Sequence, residues 1–353
     1  MDFSKAFDKV SHIRLMYKLK GFGIDGQTHD WIGRFLMDRT QRVVVDGSHS
    51  EESKVESGVP QGTVLGPILF LLYINDLPEY PVDCLFADDC VIYRNIKSAN
   101  DSHLLQQDLR RLEEWEKTWK MEFNPLKCCT LNITRKRNRQ RNQYCLKGVT
   151  LQNEESVDYL GVTIRDDLKW TSHINKIVGK ANKSLGFIRR NVKTTNRDTK
   201  VSAFNTLVRP HVEYACAAWD PYNKCDIDLV QSIQRRGARY TCNRYHNMSS
   251  PTQMLKSLEW ETLASRRIKL KLCLFFKIHH GITDVTFPPH VHLAAERTRR
   301  SHPSVYFELP SSTEYYKYSY FPSTIRVWNI LPPGVVKAES LDQFKSGLSK
   351  LSF

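Results

Sequence analysis

Two apolar runs, Cys84-Leu85-Phe86-Ala87 and Cys90-Val91-Ile92-Tyr93, meet at the adjacent aspartates Asp88 and Asp89. Two short β-prone segments joined by a two-residue polar break read as a hairpin. Its tip would hold two carboxylates side by side. Adjacent like charges raise one another's pKa, so a pair flanked by buried strands is costly unless a divalent cation neutralises it. Magnesium, which takes a few carboxylates together with phosphate oxygens, suits such a site. Aspartate is also a common turn residue, and on these residues alone a solvated turn stays open as the other reading.

The charge distribution bears on what surrounds the pair. Residues 1–134 hold 16 Lys and Arg against 20 Asp and Glu, whereas 135–353 hold 36 against 18. A mildly acidic block joined to a strongly basic one pairs a metal-carboxylate site with a surface for a polyanion, of which nucleic acid is the natural case. A basic chain kept soluble by its charge gives the same counts. With 353 residues the chain is long enough for about two domains. Nine cysteines, odd in number and without a C-x-x-C pair, read as reduced thiols of an intracellular protein, nuclear or cytoplasmic and not secreted. The first residues lack a basic and an apolar region of signal-peptide type. The longest apolar run, Val64 to Ile74, is interrupted by Gly66-Pro67 and too short to span a bilayer, so no membrane role is expected.

Along the chain, Ile13, Met16 and Leu19 recur at helical spacing until Gly21 and Gly23, and a second helix runs through Trp31, Ile32, Phe35 and Leu36. Gln41 to Gly47 reads as a strand and turn, Ser57 to Gly62 as a loop. Val64 to Ile74 reads as a buried helix started by Pro67. Leu105, Leu109, Leu112, Trp115 and Trp119 mark an amphipathic helix ending before Asn124-Pro125. Arg135-Lys136-Arg137-Asn138-Arg139-Gln140-Arg141 carries five cations in seven residues; a solvated linker and a phosphate contact are equally good readings. Val157 to Ile164 reads as one strand whose central Gly161 lets another backbone or a ligand approach. From Trp170 onward the pattern is helical, with stripes over Ile174 to Ile188, Val201 to Val208, Ile227 to Tyr240 and 254–280 and a short closing helix at Leu341 to Leu348. Arg235, Arg236 and Arg239 give the third stripe a basic face that could track a strand. The stretch from Thr283 to Pro333 shows little periodicity. His279, His280, His290, His292 and His302, with Cys273, match no standard zinc spacing.

Five segments, in order, carry a family resemblance: Asp2-Phe3-Ser4-Lys5-Ala6-Phe7-Asp8, Ser57-Gly58-Val59-Pro60-Gln61-Gly62, Phe86-Ala87-Asp88-Asp89, Phe123-Asn124-Pro125-Leu126-Lys127 and Tyr159-Leu160-Gly161-Val162. Together they resemble the palm motifs of reverse transcriptases, those of the jockey-like branch of non-LTR retrotransposons in particular. One such motif is weak; five in order are specific. The resemblance implies an α/β fold: a polymerase palm of antiparallel strands backed by helices over residues 1–165, a helical thumb-like region over 166–250, and a mixed helical and irregular C-terminal region over 251–353. Trp219-Asp220-Pro221 and Arg326-Val327-Trp328-Asn329 resemble the later parts of the same elements more loosely.

The implied activity is RNA-directed DNA polymerisation, a nucleotidyl transfer onto a primer 3′-hydroxyl with two magnesium ions, manganese being the alternative ion. Asp2 and Asp88 match the metal ligands, with Asp89 beside them, and Asp8 is typical of the first motif without ligating. Phe7 matches the ring that excludes a nucleotide 2′-hydroxyl, and a core phenylalanine is its plain alternative. Gln61 and Gly62 match the loop that packs on the incoming nucleotide and template. Lys127 matches a lysine that protonates pyrophosphate, with a surface lysine as the rival reading. Tyr159, Leu160 and Gly161 match the primer grip. Arg135, Lys136, Arg137, Arg235, Arg236 and Arg239 would touch the nucleic-acid backbone. The implied partners are an RNA template, a DNA primer and deoxynucleoside triphosphates. Family members carry a fingers region before the first motif, which this chain lacks, so weak or absent activity of the chain by itself is expected. A non-catalytic, nucleic-acid-binding remnant of a mobile element is the alternative.

Overall fold

The computed structural model describes residues 1–77, 84–134, 136, 142–246, 248–294, 302 and 304–353. It is a mixed α/β structure of short sheets and many helices that divides into two compact units, the first comprising Met1–Gly161 and Arg165–Asp167, the second the remainder to Phe353.

In the first unit, α1 (His12–Gly21) and α2 (Gly26–Leu36) precede four two-residue strands, β1 (Thr40–Gln41), β2 (Val44–Val45), β3 (Ser48–His49) and β4 (Ser53–Lys54), which pair antiparallel as β1 with β4 and β2 with β3. The expected strand from Gln41 is thus broken after one residue. Next come α3 (Leu65–Ile74), β5 (Cys84–Phe86), β6 (Asp89–Val91) and the 21-residue α4 (Ala99–Trp119). The latter starts on a reciprocal Ser98–Asp101 capping box and stops at Lys120, whose φ of 54° ends the helical hydrogen bonding. Then follow β7 (Cys129–Leu131), β8 (Cys145–Leu146), β9 (Val149–Thr150), β10 (Gln152–Glu154) and β11 (Ser156–Tyr159). β10 runs parallel to β7, so the pairing is not uniformly antiparallel as expected.

α3 begins at Leu65 rather than Pro67, because the Thr63 hydroxyl accepts the Gly66 N–H at 3.0 Å. It is not buried all round either: Leu69, Phe70, Tyr73 and Ile74 enter the core while Ile68 and Leu71 remain about half exposed. Phe70, Trp115, Phe123 and Phe3 form the centre of that core, each at most 3% exposed. Phe3 stacks on Phe123 with ring centroids 4.3 Å apart and meets Phe70 edge-on at 6.5 Å, geometries that aromatic quadrupoles favour. The stretch read as one strand from Val157 to Ile164 reverses at Leu160-Gly161, where φ is 46° and 79°. Two consecutive left-handed residues make a tight turn, so Gly161 is a turn residue and not the middle of a strand.

β12 (Val162–Arg165) lies at the division between the units. The second unit holds α5 (Thr171–Asn191), α6 (Arg197–Leu207), α7 (Cys216–Trp219), α8 (Lys224–Cys242), α9 (Pro251–Ser257), α10 (Leu263–His279), α11 (Glu314–Lys317), α12 (Tyr320–Asn329), α13 (Pro333–Val336) and α14 (Leu341–Ser349). Two cores organise it. One gathers Ile174, Leu185, Phe204, Trp219 and Ile233, the other Phe275, Phe276, Trp328 and Phe344. α6 and α8 approach closely because Gly237 has no side chain: a Cβ there would stand 2.2 Å from the Phe204 ring. α12 contradicts the reading of 283–333 as aperiodic. Its Pro322 sits in the first turn, where proline is tolerated, and Ile325 and Trp328 are fully buried.

Candidate active site

The extended N-terminal segment is paired on both sides. Met1 and Cys90 exchange backbone hydrogen bonds of 2.8 and 3.4 Å, which sets Asp2 opposite Asp89. On the other edge, Ser4 N–H donates to Glu122 O at 2.7 Å and Asn124 N–H to Asp2 O at 2.8 Å, which sets Phe3 opposite Phe123. Successive side chains in extended backbone point to opposite faces. Phe3 therefore enters the core, and Asp2 emerges on the other side at the end of the β5–β6 hairpin.

That hairpin differs by one residue from expectation. Phe86 pairs with Asp89, so the two-residue turn is Ala87-Asp88 and Asp89 opens β6. Ala87 has φ 50°, a left-handed conformation that costs a non-glycine residue about 1–2 kcal/mol. The consequence is that Asp89, not Asp88, is the cross-strand partner of Asp2, while Asp88 occupies the exposed turn. Burial first, then the charges of Asp88 and Asp2, push the Asp89 carboxyl above the usual range. Three hard oxygen donors that repel one another are the chemistry a divalent cation relieves. Their side chains do not converge fully: among the described residues no three His, Cys, Asp or Glu are gathered closely enough to enclose an ion.

Lys127 reaches this edge through a turn that the sequence dictates. The Asn124 side chain accepts the Leu126 N–H at 3.1 Å and its backbone carbonyl accepts the Lys127 and Cys128 N–H groups at 3.0 Å. Lys127 Nζ is then 3.9 Å from Asp2 Oδ2. Two supports were not legible in the motifs. The Cys128 thiol accepts the Asp2 N–H at 3.4 Å, and the buried Glu116 carboxylate accepts the Phe123 N–H while pairing with Lys147 at 2.8 Å. Tyr159 is also near the hairpin: its hydroxyl is pushed up by burial first and then by Cys84 and Asp89.

The loop 57–62 lies against the segment after the first motif. Val59 N–H donates to Phe7 O and Gly58 N–H to Val10 O, both at 2.8 Å. Gly58 has φ 93°, and a Cβ there would stand 2.9 Å from the Asp8 backbone. It, rather than Gly62, is where the missing side chain permits close approach, since nothing lies within 4 Å of a Cβ built on Gly62. The Gly58 carbonyl is held by Arg39 Nη2 at 2.9 Å and lies 2.8 Å from His12 Nε2. Gln61 and Gly62 are exposed. Phe7 is half-buried and stacks on Phe70 at 4.7 Å.

Of the basic residues, Arg135 and Arg137 lie outside the described residues, and Lys136 is exposed. The second unit separates the other three: Arg235 pairs with Asp228 at 3.5 Å, Arg236 donates to Asn182 at 2.8 Å, and Arg239 lines a cleft with Arg236.

Because its folded-state pKa is raised, Asp89 is most compatible with the fold when protonated; that contribution is complete below the ordinary carboxylate pKa and is lost as pH rises through the raised value. Asp89→Asn is therefore expected to melt at a higher temperature than the parent at pH 7 and at the same temperature at pH 3. Equal melting at both pH values would sink this account of the repulsion.

Comparison with known proteins bears on the same residues. Residues 1–164 match the family described as reverse transcriptase (RNA-dependent DNA polymerase). A probable RNA-directed DNA polymerase from the transposon X-element of Drosophila melanogaster is 28% identical over 250 residues, 68% of this chain and 27% of that protein. The RNA-directed DNA polymerase from the mobile element jockey of the same species is 27% identical over 257 residues, again 68% and 27% of the two chains. A Pol polyprotein from the type-1 retrotransposable element R2 of Popillia japonica is 29% identical over 149 residues, 37% and 23% of the two. The chain thus spans about a quarter of the length of these relatives.

Proposed function

We propose that this chain, whose residues 1–164 match the reverse transcriptase family, carries the polymerase of a non-LTR retrotransposon protein, which extends a DNA primer on an RNA template by adding nucleotides from deoxynucleoside triphosphates to the primer 3′-hydroxyl, and that the chain by itself does so weakly at most. The observation that carries the reading is the pairing of Asp2 with Asp89 beside Asp88, with Lys127 at the same edge. Residues 1–165 act as the palm, 166–250 as the thumb-like region and 251–353 as its C-terminal continuation.

Asp2, Asp88 and Asp89 would hold two magnesium ions, which when bound activate the 3′-hydroxyl and stabilise charge on the transferring phosphate and the leaving pyrophosphate. The protein's own residues do the rest. The core stack of Phe3 on Phe123 fixes the backbone that bears Asp2. Lys127 carries a proton on Nζ beside Asp2, and its release to the leaving pyrophosphate is the role we assign to it. Phe7, backed by Phe70, limits space at the nucleotide sugar. Gln61 and Gly62 line the nucleotide and template side, and the turn Tyr159-Leu160-Gly161 steadies the primer end.

A second reading, a nucleic-acid-binding remnant without catalysis, draws on the incomplete convergence of the carboxylates. Extension of a labelled DNA primer on an RNA template separates the two. The polymerase reading expects elongation in magnesium or manganese that EDTA abolishes; strand binding without elongation in either ion overturns it.

A further inference from the structure

The loop 57–62 is fastened at both ends and bare in the middle: Gly58 and Val59 are buried, whereas Gln61 and Gly62 are exposed. On the near side Gly58 N–H donates to Val10 O, Val59 N–H to Phe7 O and the Ser57 hydroxyl to Asp8 O, each at 2.8 Å. On the far side the Thr63 hydroxyl donates to Pro60 O at 2.8 Å, and a Cβ on Gly66 would stand 2.2 Å from that same oxygen. The apex Gln61-Gly62 takes its position from these two feet.

The near foot also draws on side chains from outside the loop. The Gly58 carbonyl oxygen lies 2.8 Å from His12 Nε2 and 2.9 Å from Arg39 Nη2. A carbonyl can only accept, so Nε2 carries the imidazole proton and two donors occupy the two lone pairs of one oxygen. His12 is 6% exposed at the start of α1, where the helix backbone fixes it. Arg39 is oriented through Nε, which donates to the carbonyl of Leu36, the last residue of α2, at 2.8 Å. Its own carbonyl accepts Val55 N–H at 2.8 Å, closing the base of the β1–β4 ribbon. The clamp thus joins α1, α2, the ribbon and the loop at one buried oxygen.

We propose that His12 and Arg39 are positioning residues for the incoming nucleotide: by holding the Gly58 carbonyl they keep the loop docked, with Gln61 and Gly62 where the nucleotide meets them. The inference rests on the reading of Gln61 and Gly62 as the nucleotide side of the polymerase. Both residues act through the loop and not on the reacting atoms. A loop docked for only a fraction of the time weakens apparent nucleotide affinity by the inverse of that fraction, while a nucleotide once bound finds the carboxylates unchanged. Loosening the clamp therefore raises KM for the nucleotide and leaves kcat in place. Removing one donor leaves the oxygen satisfied; removing both strands a buried acceptor.

The test is single-nucleotide addition by the full chain to a labelled DNA primer on an RNA template, at varied deoxynucleoside triphosphate. His12→Ala and Arg39→Ala should each raise KM about two- to threefold, and the two together about twentyfold or more, beyond the product of the singles, with kcat within about twofold. Arg39→Ala with His12→Gln, which keeps one donor, should behave as Arg39→Ala alone. Hydrogen exchange reads docking without turnover: in the double alanine variant it should quicken about tenfold across 57–62 and stay at the parent's rate in α4. An unchanged KM in that variant, or a fall in kcat at constant KM as partial misfolding gives, would overturn the proposal. So would exchange that quickens equally in the loop and in α4, which would make the pair generally structural. A parent that adds no nucleotide in magnesium or manganese overturns the polymerase reading and the nucleotide role with it, a result distinct from a working parent whose double variant keeps its KM.

Discussion

Replacing Asp88 and Asp89 together by alanine is expected to reduce primer extension by at least a thousandfold while leaving the fold intact or more stable. Two of the three oxygen donors disappear, and what remains is Asp2, already 3.9 Å from Lys127. Metal-assisted charge stabilisation supplies several kcal/mol to a phosphoryl transfer, and each ~1.4 kcal/mol is tenfold in rate. The stability side runs the other way. Asp89 is held above the usual carboxylate range by burial and by its acidic neighbours, so removing the charges removes repulsion. Activity falls and melting temperature does not, the opposition expected of groups retained for chemistry. Extension assays and thermal melting on the same preparation decide the matter. Retained extension would remove these aspartates from the reaction, and lost extension with a collapsed melting curve would make them structural.

The second large effect belongs to Asp220. Its two carboxylate oxygens bind Arg267 Nε at 2.8 Å and Lys271 Nζ at 2.6 Å, both cations on α10 and only 2% and 6% exposed. Asp220→Asn keeps the shape and leaves two buried cations sharing no anion. Breaking a buried pair in this way costs about 3–5 kcal/mol, a large part of the 5–15 kcal/mol that holds a typical domain. With a urea slope of about 2 kcal/mol per molar, the unfolding midpoint followed through the tryptophans of the second unit should fall by about 1.5–2.5 M. Lys271→Met in the Asp220→Asn background should recover part of the loss, since it withdraws one stranded charge. A midpoint shift below about 0.5 M would mean that water already solvates this cluster.

How far these features were legible depended on the range over which each is determined. α4 and α5 could be read because their apolar residues repeat along one face, and α4 also carries a capping box at its start. The β5–β6 hairpin was legible in outline, but its turn moved by one residue because the backbone pairing of Met1 with Cys90 draws Asp89 into the strand. Gly161 suits either a strand centre or a turn, and only φ decides between them. α12 was hidden by a composition of Tyr, Ser and Pro that favours loops, although Phe321, Ile325 and Trp328 recur at helical spacing. At the site, residues belonging to compact motifs could be read individually. Arg39 and His12 on Gly58, Cys128 under Asp2 and Glu116 under Phe123 could not, because each is a contact that local sequence does not announce. Arg235 pairs with Asp228 while Arg236 and Arg239 line one cleft, a division set by the partner each side chain finds and not by spacing along the helix.

The double pairing of the N-terminal segment has a kinetic consequence. Asp2 is flanked by Cys90, 89 residues from Met1, and by Cys128, 126 residues from Asp2. Chain loops of that size close slowly relative to helix formation, although the added entropy grows only logarithmically with length. Helices such as α4 can therefore form while the three aspartates are still far apart, and their mutual repulsion arises only as the long-range ladder locks. Substitutions at Phe3 or Phe123 would then act on the rate at which the chain arrives at its native state, and every copy that has acquired its carboxylate cluster has already closed the chain across the 89 residues that separate Met1 from Cys90.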